Sequence, residues 1–347
     1  MAYKNIKKVL TADELIAQIP LSSVAGGSVI QHRREIMDIL SGVDGRLLVI
    51  VGPCSAWPFV AVLQYAEKLL QLSQRVQDKL KLVMRLYVQP PSEVNGLTSI
   101  INKLSPLTGS DAESRMKAAR RLMVQIVEMG LAIADEAIYT HNAHGFSELL
   151  SWTAISSRSS EDQEHRIHAS ALDCPVGLKN PLFGALKIGV NSVVAAQHAH
   201  TAIFDGTVIK TDGNPFAHLV LRGSNGVPNY GVEYLREFCK HAESMQVQNP
   251  VVIIDAAHDN CVVNGVRDYT AQGNVVFDVL NNVAQNPELQ HVVKGFMLES
   301  FIKDGRQELT IDSPVDLGGL SITDPCIGWE ATEALLLKLA SETSSRT

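Results

Sequence analysis

Aromatic side chains are scarce in this chain, 5% of 347 residues, although 46% of the residues are hydrophobic. The apolar content is therefore aliphatic, which suits parallel strands buried on both faces. Positive charge is not in excess either. The formal net charge is −7, which gives no general basic field and argues against nucleic acid as a partner. Any anion bound here must be held by a local cluster of cations. Cysteine is limited to Cys54, Cys174, Cys239, Cys261 and Cys326, an odd number, widely spaced and without a CxxC pair. That argues against a disulfide framework and makes a reducing cytoplasm the expected compartment. No apolar run reaches membrane-spanning length, and the N-terminal MAYKNIKKVL lacks the apolar stretch of a signal peptide. The expectation is a soluble intracellular protein with no membrane contact.

What is present is a repeat of strand-like and helix-length segments. Residues 1–45 lack strand patterning and read as an N-terminal helical arm, with a capping box at Thr11-Ala-Asp-Glu14, a short helix at Leu15–Ile19 and a second at Ser28–Leu40. From Arg46 onward, strands are expected at 47–53, 82–88, 131–137, 152–157, 175–179, 217–222, 250–255 and 293–299. Helices fit at 59–79, 112–129, 144–151, 160–171, 184–197, 230–246, 264–286 and 328–342. Eight such alternations predict a (β/α)8 TIM barrel over 46–347 as a single catalytic domain, with a doubly wound open sheet as the alternative. Two insertions interrupt the repeat. One is the loop 89–111, and the other is 200–216, whose HTAIF and GTVIK runs predict a β-hairpin before the sixth strand.

Nine residues suited to metals or anions fall at the ends of these strands. Closing the sheet would bring them to one rim. Cys54, His258, Glu299 and Asp324 offer one sulfur, one imidazole and two carboxylates. That mixture suits Mn²⁺, Fe²⁺, Co²⁺ or Zn²⁺ and argues against Ca²⁺ and Mg²⁺, although no local spacing motif supports it. Arg85, Arg158, Lys179 and Arg222 add four cations against Glu136. Such an excess fits a multiply charged anion, because guanidinium forks match phosphate and carboxylate. A metal beside it points to polarisation of a carbonyl or activation of water.

The segments LLVIVGPCS, VMRLY, SWTAISSR with EDQEHR, CPVGLKN, LVLRG, VIIDAAHDN, MLES and SITDPCIGWE resemble, in the same order, the class I 3-deoxy-D-arabino-heptulosonate 7-phosphate (DAHP) synthases. These are the microbial enzymes under feedback control by aromatic amino acids. The resemblance implies a barrel that condenses phosphoenolpyruvate with an aldehyde, with a divalent metal polarising the aldehyde oxygen and Mn²⁺ as the expected ion. It assigns Cys54, His258, Glu299 and Asp324 to the metal. Arg85 and Lys179 go to the phosphoenolpyruvate carboxylate, and Arg158, Arg222 and, through water, Glu136 to its phosphate. It also implies a homodimer or homotetramer.

The acceptor side departs from the family pattern. Lys-Pro-Arg-Thr-Thr after the second strand is here Pro90-Pro91-Ser92-Glu93-Val94. Two cations are lost and an acid gained in a loop that should face a phosphate, where each charge-assisted hydrogen bond contributes about 1.5–3 kcal/mol. Ile-His-Asp-Pro becomes Ala56-Trp57-Pro58-Phe59, and the turn after Lys179-Asn180 becomes Pro181-Leu182-Phe183-Gly184. Trp57 and Phe183 are expected to line a less polar acceptor pocket, with Glu93 facing a cationic group. The leading expectation is thus condensation of phosphoenolpyruvate with a carbonyl other than erythrose 4-phosphate, in a specialised biosynthesis. Ordinary DAHP synthesis in the shikimate pathway is an alternative, with Lys103, Arg115 or Lys117 replacing the missing cations. A non-catalytic phosphoenolpyruvate-binding regulatory paralogue is the other. Asp173 stands where the regulated enzymes carry a serine against their effector, so no inhibition by phenylalanine, tyrosine or tryptophan is expected.

Overall fold

In the computed structural model, residues 7–88, 112–137, 144–183, 185–204, 207–309 and 314–343 are described. The loop 89–111, with Pro90, Pro91, Ser92 and Glu93, lies outside them. Aliphatic runs form strands buried along their whole length, as in β1 (Leu47–Gly52) and β2 (Leu80–Arg85). They are followed by β3 (Ile133–Glu136), β4 (Trp152–Ile155) and β5 (Val176–Lys179). A hairpin of β6 (Thr201–Phe204) and β7 (Thr207–Lys210) then precedes β8 (His218–Leu221). After β9 (Val252–Asp255) come a short hairpin of β10 (Val262–Val263) and β11 (Val266–Arg267), and finally β12 (Val293–Glu299).

Eight of these strands close in the order β1-β12-β9-β8-β5-β4-β3-β2. Every pairing in the ring is parallel. The open-sheet alternative is excluded because β1 bonds to both β2 and β12.

Two cores follow from the alternation of side chains along each strand. Leu47, Val49 and Val51 face the surrounding helices. Leu48 and Ile50 face inward with Val83, Tyr87, Trp152, Val220, Ile253 and Met297. The helix Ser23–Ser41 sends Ile36, Ile39 and Leu40 into the inner core beside Leu48, Ala132 and Val251, at the strands' N-terminal ends. It therefore plugs the bottom and leaves the opposite end as the mouth. The arm is fastened by fully buried Arg120, whose guanidinium donates to the carbonyls of Ile19 and Gly145 and pairs with Glu148. Thr11 and Glu14 form the expected capping box on the helix Ala12–Gln18.

Two helical expectations need correction. The helix expected at 264–286 spans only Gln272–Gln285. Asn264 and Gly265 both take positive φ, 52° and 80°, and turn the chain into the β10–β11 hairpin, a geometry that favours Asn-Gly. The helix expected at 144–151 is a single turn, His144–Ser147. No helix among the described residues is long and apolar enough to cross a membrane.

Candidate active site at the barrel mouth

The C-terminal strand ends carry the side chains that matter. Arg85, Glu136, Lys179 and Glu299 are the last residues of β2, β3, β5 and β12. Cys54, Arg222 and His258 follow β1, β8 and β9 within a few residues. Asp324 comes from the loop after β12. That loop is tied to the β1 loop by a 2.8 Å hydrogen bond between the Ser55 and Thr323 hydroxyls and held internally by Ser321, whose hydroxyl donates to the Asp324 carbonyl at 2.7 Å.

Cys54, Glu299 and Asp324 converge so that one ligand atom from each lies within 4.8 Å of the others. Cys54 Sγ is 3.7 Å from Asp324 Oδ2, and His258 Nε2 is 3.7 Å from Glu299 Oε1. Gln272 fixes the Glu299 backbone, accepting from its N–H at 2.8 Å and donating to its carbonyl at 3.0 Å. Burial, followed by the charge of Glu299, pushes the Cys54 thiol well above its ordinary range. Glu299 Oε1 is buried without a hydrogen-bond partner among the described residues. A buried carboxylate oxygen with no hydrogen bond, facing a thiol and an imidazole and touched among the described residues only by the Arg85 ion pair, is an arrangement a bound cation would complete, and the sulfur–nitrogen–oxygen set fits a transition ion.

Beside this cluster lie buried cations. Arg85 is 3.2 Å from Glu299 Oε1 and lies over the Tyr87 ring, 3.8 Å from its centre. Lys179 Nζ is 3.4 Å from Asp255 Oδ2 and 5.8 Å from the same ring. Burial lowers Lys179, but the anionic groups around it, Asp255 and Glu136 among them, outweigh this and raise it to about 12, so it is an ammonium ion. Arg222 pairs with Asp259 at 2.9 Å, and Asp259 is also bound by Arg267 from the β10–β11 hairpin.

An amide network sets these strand ends. Asn180 Oδ1 accepts from the Arg222 N–H at 2.9 Å, while Asn180 Nδ2 donates to the Gly223 carbonyl at 2.9 Å. Asn260 Nδ2 donates to the carbonyls of Leu221 and Asp255 at 2.9 and 2.8 Å.

Other expected residues sit differently. Glu136 is buried, with Oε2 unpartnered among the described residues. Arg158 is exposed in the turn after β4 and does not join the buried cations. Ala56 and Trp57 are both buried, and the Ala56 N–H donates to the Tyr87 carbonyl at 2.9 Å, which holds this apolar lip against the end of β2. Phe183 is 83% exposed, so its ring lines no enclosed pocket wall among the described residues. The cause is local. Ser224 Oγ and the Asn225 N–H both bind the Leu182 carbonyl at 3.0 Å and leave the next side chain outward.

Tyr87, Asp255 and Asp259 were not anticipated from the sequence. An acid closing the apolar run VVIID was the available signal for Asp255.

Away from the mouth, a cavity of about 880 Å³ is lined by Val29 and Arg33 of the arm, Ile167, Asp173, and Ile203 and Ile209 of the β6–β7 hairpin.

Comparison with known proteins agrees with this architecture. A pattern described as the DAHP synthetase I family matches residues 18–337. The chain is 36% identical to "Phospho-2-dehydro-3-deoxyheptonate aldolase, Trp-sensitive" of Salmonella typhimurium, over 99% of this chain and 97% of that protein. It is 35% identical to the Tyr-sensitive aldolase of the same organism, over 97% and 94%. The solved structure of the corresponding aldolase from Francisella tularensis superposes with a TM-score of 0.88 at 29% identity, covering 99% of both chains. A closed parallel barrel with a polar mouth, matched along nearly its whole length by such relatives, leaves one assignment: the chain belongs to the DAHP synthetase I family and is an enzyme of the 3-deoxy-7-phosphoheptulonate synthase type.

Proposed function

We propose that the protein condenses phosphoenolpyruvate with erythrose 4-phosphate and releases phosphate, the opening reaction of aromatic biosynthesis. The observation that carries this reading is the end-to-end match to aldolases of that kind at 35–36% identity. It fits better than the altered acceptor expected from the loops. In this reading Cys54, His258, Glu299 and Asp324 hold a divalent ion, Mn²⁺ in the first place. When bound, the ion supplies Lewis-acid polarisation of the acceptor's carbonyl oxygen. Arg85 and Lys179 grip the carboxylate of phosphoenolpyruvate, Arg222 and, through water, Glu136 meet its phosphate, and Arg158 approaches that phosphate from the exposed turn after β4. The cations orient C3 of phosphoenolpyruvate towards the acceptor carbonyl carbon. The new C–C bond forms there, water supplies a hydroxyl to C2 and a proton to the former carbonyl oxygen, and the C2–O bond to the phosphate breaks as the ketone forms and inorganic phosphate departs.

A second reading stays open on one observation. Pro90 to Glu93 carry no cation where the family pattern has two. Of the substitutes considered, Lys117 is committed to Glu113 at 3.0 Å, and Lys103 lies outside the described residues. On that reading the acceptor is a less anionic carbonyl compound. The deciding experiment follows phosphate release from phosphoenolpyruvate with Mn²⁺ over phosphorylated, neutral and amino aldehydes. Strong turnover with erythrose 4-phosphate is the expected result. Turnover only with other aldehydes would replace the first reading by the second, and binding without turnover on any aldehyde would indicate a regulatory paralogue. We also infer self-association, because Val24 and Ile30 of the arm and Ile203 and Val208 of the hairpin are exposed apolar side chains.

A further inference from the structure

Asp255 closes β9 and is fully buried. Its Oδ2 lies 3.0 Å from His258 Nδ1 and 3.4 Å from Lys179 Nζ. Its Oδ1 accepts from the Ala257 N–H at 3.1 Å, which fixes the carboxylate plane. One oxygen is therefore shared between the imidazole beside the metal-type cluster, 3.7 Å from Glu299, and the ammonium of the anion cluster. The His258–Asp255 pair is close but off the hydrogen-bond axis, so the contact as it stands is electrostatic. His258 itself sits at φ 56°, in the left-handed region that a residue with a side chain rarely enters. Its backbone is held there by the turn, and its ring needs a partner to set its orientation. With Nδ1–H turned to Asp255, the lone pair of Nε2 faces Glu299 Oε1, 3.7 Å away.

We propose that Asp255 is a positioning residue that links the two halves of the site. It orients His258 so that Nε2 is a free metal donor, and its charge offsets that of Lys179 beside the place of the substrate carboxylate. This inference rests on the metal and phosphoenolpyruvate assignments of the preceding reading. Histidine ligands are commonly oriented by a carboxylate on their second nitrogen. What is particular here is that the same oxygen also neutralises a substrate-binding lysine. Removing its charge should therefore weaken metal binding without weakening phosphoenolpyruvate binding.

The test is calorimetric and needs no turnover. Mn²⁺ is titrated into the protein without phosphoenolpyruvate, and phosphoenolpyruvate into the metal-free protein, for wild type, Asp255→Asn and Cys54→Ser. In Asp255→Asn the amide can present its NH2 to His258 and favour the tautomer that carries the proton on Nε2. The expected result is Mn²⁺ binding weaker by roughly 10–100-fold, with metal-free phosphoenolpyruvate binding unchanged or tighter because Lys179 has lost its counter-charge. A purely structural role would weaken both constants together. That parallel loss, or an unchanged Mn²⁺ constant in Asp255→Asn while Cys54→Ser loses the ion, overturns the inference alone. If Cys54→Ser also keeps Mn²⁺, the metal assignment fails and this inference falls with it. Should Asp255→Asn not fold, Asp255→Glu carries the same test. It keeps the charge near Lys179 and displaces it from His258, and it should again weaken Mn²⁺ binding tenfold or more while sparing phosphoenolpyruvate.

Discussion

Arg85 lies 3.8 Å from the centre of the Tyr87 ring, in a site where both side chains are buried. A desolvated cation over an aromatic face is held by about 2 kcal/mol or more. Tyr87 also tops the inner core of the barrel, so its ring is the floor on which Arg85 and Lys179 rest. Its hydroxyl, by contrast, is buried with no hydrogen-bond partner among the described residues. The ring and the hydroxyl can be separated by mutation. Tyr87→Phe should leave the KM for phosphoenolpyruvate within about twofold of wild type, since it removes only an unsatisfied group. Tyr87→Leu should raise that KM by roughly tenfold or more with a smaller change in kcat. Equal KM values for the two variants in steady-state assays would show that the ring plays no such part. Residue chemistry of this kind was only half legible in the sequence. Strand-end position singled out Arg85, Lys179 and Glu299 because charged residues stand out against aliphatic runs. The same position could not tell that Arg158 would be exposed and Asp255 buried, because exposure depends on how each loop leaves the rim.

At the scale of elements, the strands were read within a few residues because parallel strands in a barrel are continuous aliphatic runs. The helices were read through their periodicity. The miss at 264–271 has a physical cause: Val263-Asn264-Gly265-Val266 is a turn signal lying inside what otherwise scans as one long helix. Element contacts also set which glycines are indispensable. A Cβ on Gly295 of β12 would meet the carbonyl oxygen of Leu48 at 1.8 Å, and Leu48 is its direct partner in the β1–β12 ladder. Neither backbone can retreat without breaking ring closure. Gly295→Ala should cost roughly 3 kcal/mol or more, at the severe end for overpacking. Gly273 provides the contrast. It lies in the helix Gln272–Gln285, and an added Cβ meets only Leu335 Cδ1 at 3.6 Å. Gly273→Ala should stabilise by up to about 1 kcal/mol through helix propensity. Urea unfolding of the two variants beside wild type checks both signs at once.

On the scale of the whole molecule, the barrel joins two regions that share no residue, the mouth and the cavity between arm and hairpin. Closure of the ring was deduced from polar residues at every strand end. The cavity was not, because it is built by side chains from the arm, the helix Gln163–Ala171 and the hairpin, with no motif of their own. Its lining includes the carboxylates of Glu148, Glu164 and Asp173. Glu148 is neutralised by Arg120. Arg33, the arginine lining the cavity, already donates to the carbonyls of Leu150 and Ser147 at 2.8 and 2.7 Å. The carboxylate of a free amino acid entering this space would face Glu164 and Asp173, with Arg33 held by Nε and Nη2 to backbone carbonyls, and burying an anion beside like charges is costly. Relatives of this chain bear the names Trp-sensitive and Tyr-sensitive. Here, titration of the full-length protein with phenylalanine, tyrosine or tryptophan in a calorimeter is expected to give no binding heat up to millimolar concentrations, and turnover is expected to be unaffected. A saturable isotherm with any of the three would show that the cavity accepts such a ligand despite its acidic wall.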